Sequence, residues 1–348
     1  GLGAAAASFA NMLGGFILLG VDDKGGVVGW SKPPKLDLQS HLGELLRREV
    51  DPLPPFVAEM RELDGKPVGV LRVFESADRP HIVRGTGAIY VRTSKGKEPS
   101  PVDDHQTVPA MARRGEDAAA AARARLRETP AVKHTFMAPD SGIPQNHQGI
   151  EVLARAAPLT VTPAHSDWAL TRVAAELCSA AAERLVPRFL PGEFDYGRSG
   201  PDLRPQGRAI SAVVFQEKGG GSQDRAIVLA DSNGTVAASI LRGGQDGDPP
   251  FLLLDRMLDE ELVPLAQTVT SLLRNAEAFG RAAVDLWIVF AHGGRLHGGH
   301  RHAGGHIHVA REITIPADDD EVLDLAEQWH REVQREAGIV KFEGKPGS

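Results

Sequence analysis

The spacing of apolar and polar positions changes several times along the chain, and each change marks an element. Phe9, Met12 and Leu13 fall on one helical face. Gly14-Gly15 then stops that helix, because glycine accepts the left-handed conformation of a C-terminal cap. Residues 16–19 are apolar without alternation, which predicts a strand covered on both faces. Asp22-Asp23-Lys24-Gly25-Gly26 supplies a tight turn, and residues 27–30 are expected to pair back as a return strand. Leu38, Leu42, Leu45 and Leu46 predict a helix over 36–50 with Asp37 as its N-cap, ended by Asp51-Pro52. Residues 56–63 and 67–75 alternate as two strands around an Asp64-Gly65-Lys66 turn, and 88–93 reads as another strand.

Further on, residues 108–129 form an Ala/Arg-rich stretch with little to bury, expected to be a connecting helix held by propensity. Residues 130–148 show neither period and carry Pro, Gly, Ser and Asn, as a linker does. After Gly149 the pattern predicts a helix over 166–185 and strands over 208–217, 225–230 and 235–241. Turns at 218–222 and 231–234 make these strands a meander. A long helix over 258–280 closed by Gly280 follows, then strands over 285–291 and 306–314. The last element is a helix over 318–337 with its acids at the favourable end. The expected fold class is α+β throughout. An N-terminal domain over 1–107 has a mixed or antiparallel sheet with helices. A helix and linker span 108–148, and a second α+β domain with a meander and long helices covers 149–342.

Composition narrows the class without naming a function. The 348 residues are 42% hydrophobic and 24% charged, as in ordinary globular proteins. Aromatics are only 5%, so the core must lean on Val, Leu, Ile and Ala. The net charge of -7 disfavours a whole surface built for nucleic acid and leaves room only for a local basic patch. Cys178 is the single cysteine, which excludes intrachain disulfides and CxxC zinc sites and suits a reducing cytoplasm. No apolar run approaches the ~20 residues of a membrane span, so no membrane partner is expected. The sequence opens on Gly1 and its first methionine is Met12, so it is expected to be a fragment whose start lies upstream.

The stretch S-F-A-N-M-L-G-G-F-I-L-L-G-V-D-D-K-G-G-V-V-G-W, residues 8–30, resembles the signature of the Schlafen AlbA-like domain, the group long labelled divergent AAA. Ala10, Asn11, Gly14, Gly15, Gly20, Val21, Asp23, Gly25 or Gly26, and Gly29 carry the likeness. A second segment, R-P-H-I-V-R-G-T-G-A-I-Y-V-R-T-S-K-G-K-E-P-S over 79–100, is similar to the family's later R-P-H…Y-x-R segment. The resemblance covers the first third of the chain. It implies nucleic-acid binding, DNA or RNA, in a regulatory role. In the family's nucleases it also implies a carboxylate cluster holding Mg or Mn. Two of those acids belong to a strand that is absent here, since no Asp or Glu precedes Asp22. The group's ATP label finds no direct support, because neither Lys66 nor Lys97 sits in a P-loop frame.

Four constellations are candidates for chemistry. Arg72, Arg79, Arg84, Arg92, Lys95 and Lys97 face only Glu75, Asp78 and Glu98 between residues 72 and 98. Of these, Arg79, Arg84, Arg92, Lys95 and Lys97 are the candidate phosphate contacts. A solvated sheet edge is the plainer explanation of the same charges. Asp22 and Asp23 are the candidate catalytic acids of a metal-dependent ribonuclease, or else a hairpin turn bonding its own backbone. His292, His297, His300, His302, His306 and His308 crowd a glycine-rich stretch. There His306 and His308 share a strand face at a spacing that can chelate metal. Finally, Gly1-Leu2-Gly3-Ala4-Ala5-Ala6 with Asp22 imitates a dinucleotide fingerprint, which would need a strand before Gly1 and a crossover helix after Asp22. The expectation is a nucleic-acid-binding, regulatory protein. The alternatives are a ribonuclease completed by an upstream strand and an interaction module that is not catalytic.

Overall fold

The computed structural model describes residues 1–31, 33–34, 37–92, 98–128, 149–160, 167–185, 200–206, 208–217, 223–243, 251–278, 280–291, 295–297, 306–316 and 318–337. The chain is α+β and divides into two compact units. One is Gly1–Ala121 with Phe279–Arg281, and the other is Ala122–Ala278 with Ala282–Ser348.

The first unit opens with α1 (Leu2–Ala10) and β1 (Gly15–Leu19), followed by α2 (Leu38–Glu49). After β2 (Val50–Asp51) come β3 (Phe56–Leu63) and β4 (Lys66–Val73). The short strands β5 (Ile82–Val83), β6 (Ala88–Val91) and β7 (Ser100–Pro101) precede α3 (Thr107–Glu128). An antiparallel sheet in the order β1-β4-β3 packs α1 and α2 on one side. A second sheet runs β2-β5-β6-β7. Asp37 caps α2 as expected, its carboxylate accepting the Ser40 backbone N–H at 3.0 Å. Asp64 and Gly65 both take positive φ in the two-residue hairpin turn, a conformation that Asp tolerates and Gly favours. Leu42, Leu46 and Leu71 are fully buried, each worth about 1.5–3 kcal/mol of transfer free energy.

Three expectations need correction here. The strand over 16–19 is not covered on both faces. Ile17 and Leu19 pack inward, whereas Phe16 and Leu18 are 62% and 47% exposed. A run of four apolar residues cannot report an edge strand whose sheet carries helices on one side. The return strand over 27–30 reduces to a single bridge, Val21 with Val27, because Val28 and Gly29 both donate to the Gly20 carbonyl and Trp30 turns to Pro67. Helix α3 does bury a stripe, through Met111, Ala119, Ala122 and Leu126. Gly115 lies on that stripe, where a Cβ would stand 2.5 Å from the Ala77 carbonyl oxygen. The middle of the stripe, Gly115, Ala119 and Ala122, is built of small residues, so hydrophobicity alone does not reveal it.

The second unit is one seven-stranded sheet with helices. Its elements are β8 (Gly149–Pro158), α4 (Arg172–Leu185), β9 (Asp202–Gln206), β10 (Ala209–Glu217), β11 (Gln223–Asp231) and β12 (Val236–Gly243). Then come β13 (Phe251–Leu253), α5 (Leu254–Met257), a π-helical turn (Leu258–Leu262) and α6 (Val263–Asn275). Last are β14 (Arg281–Ala291), β15 (Arg295–His297), β16 (His306–Thr314) and α7 (Asp319–Glu336). The sheet order is β16-β14-β8-β12-β11-β10-β9. One face, including Val152, Val228, Ile240 and Leu286, packs against Cys178 of α4, Leu265 and Val269 of α6, and Trp329 of α7. The other face gathers Leu153, Val213, Ile227 and Leu229 with Phe215 and Trp287.

Strand β8 is the centre of this sheet, yet periodicity does not announce it. G-I-E-V-L-A-R-A-A-P is covered on both faces and so does not alternate. The helix expected over 258–280 is broken differently from the expectation. Pro264 has no N–H to give the preceding turn, and the chain widens into the π turn just before it. Its end comes at Ala276, with Glu277 rather than Gly280 taking the left-handed cap position at φ 57°. Acid-capped α7 forms as read, with Asp318 accepting the Glu321 N–H at 2.9 Å. The 130–148 linker and the 218–222 turn lie outside the described residues. No described helix is long and apolar enough to cross a membrane.

Candidate nucleic-acid interface

The motif residues at the end of α1 form a buried knot. Asn11, the C-cap of α1, is fully buried. Its Nδ2 donates to the carbonyls of His81 (3.1 Å) and Tyr90 (2.9 Å), and its Oδ1 accepts the His81 backbone N–H at 2.7 Å. One amide side chain thus satisfies three buried backbone groups, which only Asn at this reach can do. His81 is itself buried, with Nδ1 2.6 Å from the Pro52 carbonyl and Nε2 lacking a hydrogen-bond partner among the described residues. Burial pushes its pKa down to about 4, against a smaller raising effect of the Pro52 bond. The ring is therefore neutral, with the proton on Nδ1.

Gly14 and Gly15 complete the knot for steric reasons. Gly14 has φ +74°, and a Cβ there would lie 2.7 Å from the Val73 carbonyl oxygen. At Gly15 a Cβ would stand 2.1 Å from the Phe9 ring. The Phe9 ring, seated over that glycine, carries the Arg92 guanidinium 4.4 Å from its centroid.

The five cations singled out from the sequence part ways. Arg79 is enclosed: its side chain is 4% exposed, it pairs with Glu75, and it points toward the carbonyls of Asn11 and Met12 at the end of α1. A guanidinium so enclosed ties the α1 terminus to the segment before β5. Arg84 is exposed and pairs with Asp51 at 3.0 Å, an exchangeable surface contact. Arg92 sits on Phe9. Lys95 and Lys97 lie outside the described residues. Arg72, noted in the basic run but not among the five, lies 4.6 Å from the Phe74 ring centroid and 5.8 Å from that of Phe16. The sequence shows these charges but not the rings beneath them, because Phe9 and Phe16 are distant in sequence from Arg92 and Arg72.

The acids and histidines meet other ends. Asp22 Oδ1 accepts the backbone N–H groups of Lys24 (2.9 Å) and Gly26 (2.7 Å), so it holds the turn as an Asx residue does. Asp23 is exposed beside it. Among the described residues no three His, Cys, Asp or Glu side chains converge as a metal set. His306 and His308 instead flank the Trp287 indole. His292, His300 and His302 lie outside the described residues, as does the side chain of His297. The dinucleotide reading is corrected as well. The Gly3 backbone N–H, in the first turn of α1, donates to Glu49 Oε2 at 2.8 Å, so the protein's own carboxylate fills the place of a pyrophosphate. Cys178 is buried, and burial alone pushes its thiol up to about 12.

Residues 2–101 match the Schlafen, AlbA_2 family. The match spans α1 through β7, so the Asn11–His81 knot, the Phe9–Arg92 stack and the Asp22 turn all belong to the Schlafen, AlbA_2 segment. No curated protein matches the chain. Among solved structures, the N-terminal domain of a RecG-related protein from Nitrosomonas europaea is 25% identical over 30% of this chain and 77% of its own, with a TM-score of 0.22. The DIP2311 protein from Corynebacterium diphtheriae is 17% identical over 54% of this chain and 28% of its own, with a TM-score of 0.24.

Proposed function

We propose that the chain is a nucleic-acid-binding protein of regulatory type whose Schlafen, AlbA_2 segment contacts the sugar-phosphate backbone. Arg92 and Arg84 are the contacts, joined by Lys95 and Lys97, and Arg79 is a structural tie to Glu75 and the end of α1. The observation that carries the proposal is the Arg92 guanidinium on the Phe9 ring, within the segment that matches the family. Stacking on an aromatic face holds the plane of a guanidinium in place. Such an arginine can meet a phosphate through two parallel N–H bonds. A protein of net charge -7 needs local cations of this kind to hold a polyanion. Commitment of Asp22 to its turn weighs against the ribonuclease alternative.

The test is retention of RNA and of single-stranded DNA by the full chain across a salt series. Binding should weaken steeply with salt, and Arg92→Ala should reduce the slope of log K against log salt by about one phosphate's worth. Retention that is absent, or that is indifferent to salt, overturns the proposal.

A further inference from the structure

The second unit carries a cleft of about 370 Å³ that the proposed function does not use, on the sheet face opposite the helices. It lies within that unit, lined by Leu126 and Arg127 near the end of α3, Arg155 of β8, Asp285 and Trp287 of β14, and His308 of β16. Register places Arg155 opposite Asp285 and Leu153 opposite Trp287, so alternation delivers these side chains to one face. The size lies in the lower range of small-molecule pockets.

The floor is flat and held. The His308 imidazole stacks on the Trp287 indole with centroids 3.7 Å apart and planes 17° from parallel, and His306 tilts against the same indole at 5.0 Å. Burial keeps His308 below the usual histidine range. Asp285 opposes that shift, while Arg155 and His306 reinforce it, so the stacked ring is neutral. Arg155 grips Asp285 through two bonds of 2.8 and 2.6 Å and donates a third to the Leu126 carbonyl at 3.0 Å.

The charges favour an anion. Of the four arginines that line the cleft, Arg155 is paired with Asp285, Arg123 with Glu312 and Arg311 with Glu332, so Arg127 is the cation left to meet an anion. Both Asp285 oxygens already face Arg155, and Glu312 is held by Arg123, which leaves little to attract a cation. Arg127 is exposed and has no ion-pair partner among the described residues. Independently, the Trp287 Nε1–H is buried with no acceptor among the described residues. An indole N–H in that position normally finds a partner.

We propose that this cleft binds a small planar aromatic anion, its ring laid against His308 and Trp287 and its anionic group met by Arg127. The anionic group can be a carboxylate or a phosphate, and the two sources are separable. Calorimetric titration of the full chain uses indole-3-carboxylate, adenosine 5′-monophosphate and the uncharged indole-3-carboxamide. At least one anion should bind saturably at one site, about fivefold or more tighter than the carboxamide. That binding should weaken by at least about fivefold in Arg127→Gln, a surface change that leaves folding intact, and should also weaken in Trp287→Phe. Preference for the carboxylate identifies an aromatic acid, and preference for the monophosphate a nucleotide. Arg92→Ala should leave this binding unaltered, which separates the cleft from the interface proposed above. No saturation by either anion at about 5 mM overturns the proposal. So does equal binding of the carboxamide, indifference to Arg127→Gln, or binding lost with Arg92.

Discussion

Asn11 and His81, 70 positions apart, are joined by two reciprocal hydrogen bonds between the asparagine amide and the histidine backbone. This pair closes the end of α1 onto the segment that leads into β5, with Tyr90 of β6 as the third partner. The signature that marks the family is thus, at this point, a device for satisfying buried backbone.

Asn11→Ala should strand the His81 N–H and the carbonyls of His81 and Tyr90. The expected cost is about 3 kcal/mol or more, because each buried polar group left unpaired costs about 1–3 kcal/mol. Urea unfolding of the full chain measures it. A loss within about 0.5 kcal/mol would mean that the knot does not bear on stability.

His81 gives the fold an acid sensitivity. Its ordinary pKa of 6.5 falls to about 4 in the folded state through burial, so the unfolded chain takes up the proton first as pH drops. The stabilisation is present in full above about pH 6.5, is lost progressively between about 6.5 and 4, and amounts to about 3 kcal/mol. Stability measured against pH should show this decline in the wild type. His81→Gln should flatten it in that window.

Arg79 and Arg92 should separate stability from binding. Arg79→Met leaves Glu75 and the carbonyls of Asn11 and Met12 without their guanidinium, and should cost about 3 kcal/mol. Arg92→Ala loses a cation–π contact of about 1 kcal/mol while removing the proposed phosphate contact. Thermal unfolding and nucleic-acid retention, run on both variants, should rank them in opposite orders.

Gly115→Ala tests the packing of α3. In an exposed helix the change would stabilise by up to about 1 kcal/mol. Here the new methyl meets the Ala77 carbonyl at 2.5 Å, so a net destabilisation of about 1–3 kcal/mol is expected. A stabilised variant would show that α3 does not lie against Ala77 in solution.

Arg242 bridges Glu261 at 2.8 Å and Asp224 at 3.6 Å, and both acids are buried. Burial pushes the Glu261 carboxyl upward despite the arginine beside it. Arg242→Met takes this guanidinium from two buried carboxylates and should cost about 3–5 kcal/mol at neutral pH. A carboxyl with a raised folded pKa is tolerated when protonated and destabilises as pH rises. The gap between variant and wild type should therefore narrow as pH falls.

Much of the local structure is legible in the sequence. Asp37 and Asp318 announce their helices because a cap is a contact between residues three apart. The Asp64-Gly65 hairpin is set by the positive φ that those two residues accept. The family signature is legible too, since it is a string of identities. What those identities do is not. Asn11 reads only as part of the likeness and Arg79 as a phosphate contact, yet segments far along the chain bury both side chains.

The sequence by itself determined the α+β class, most helix and strand identities, and the Schlafen, AlbA_2 likeness, because each rests on short-range periodicity or local steric preference. Only the tertiary structure decided that β1 is an edge strand and that β8 is the centre of the second sheet. It alone placed the indole of Trp287 beneath His308 and the Phe9 ring beneath Arg92. These are pairings between residues with no sequence proximity. They follow from which apolar faces bury one another, and that is a property of the whole chain rather than of any window within it.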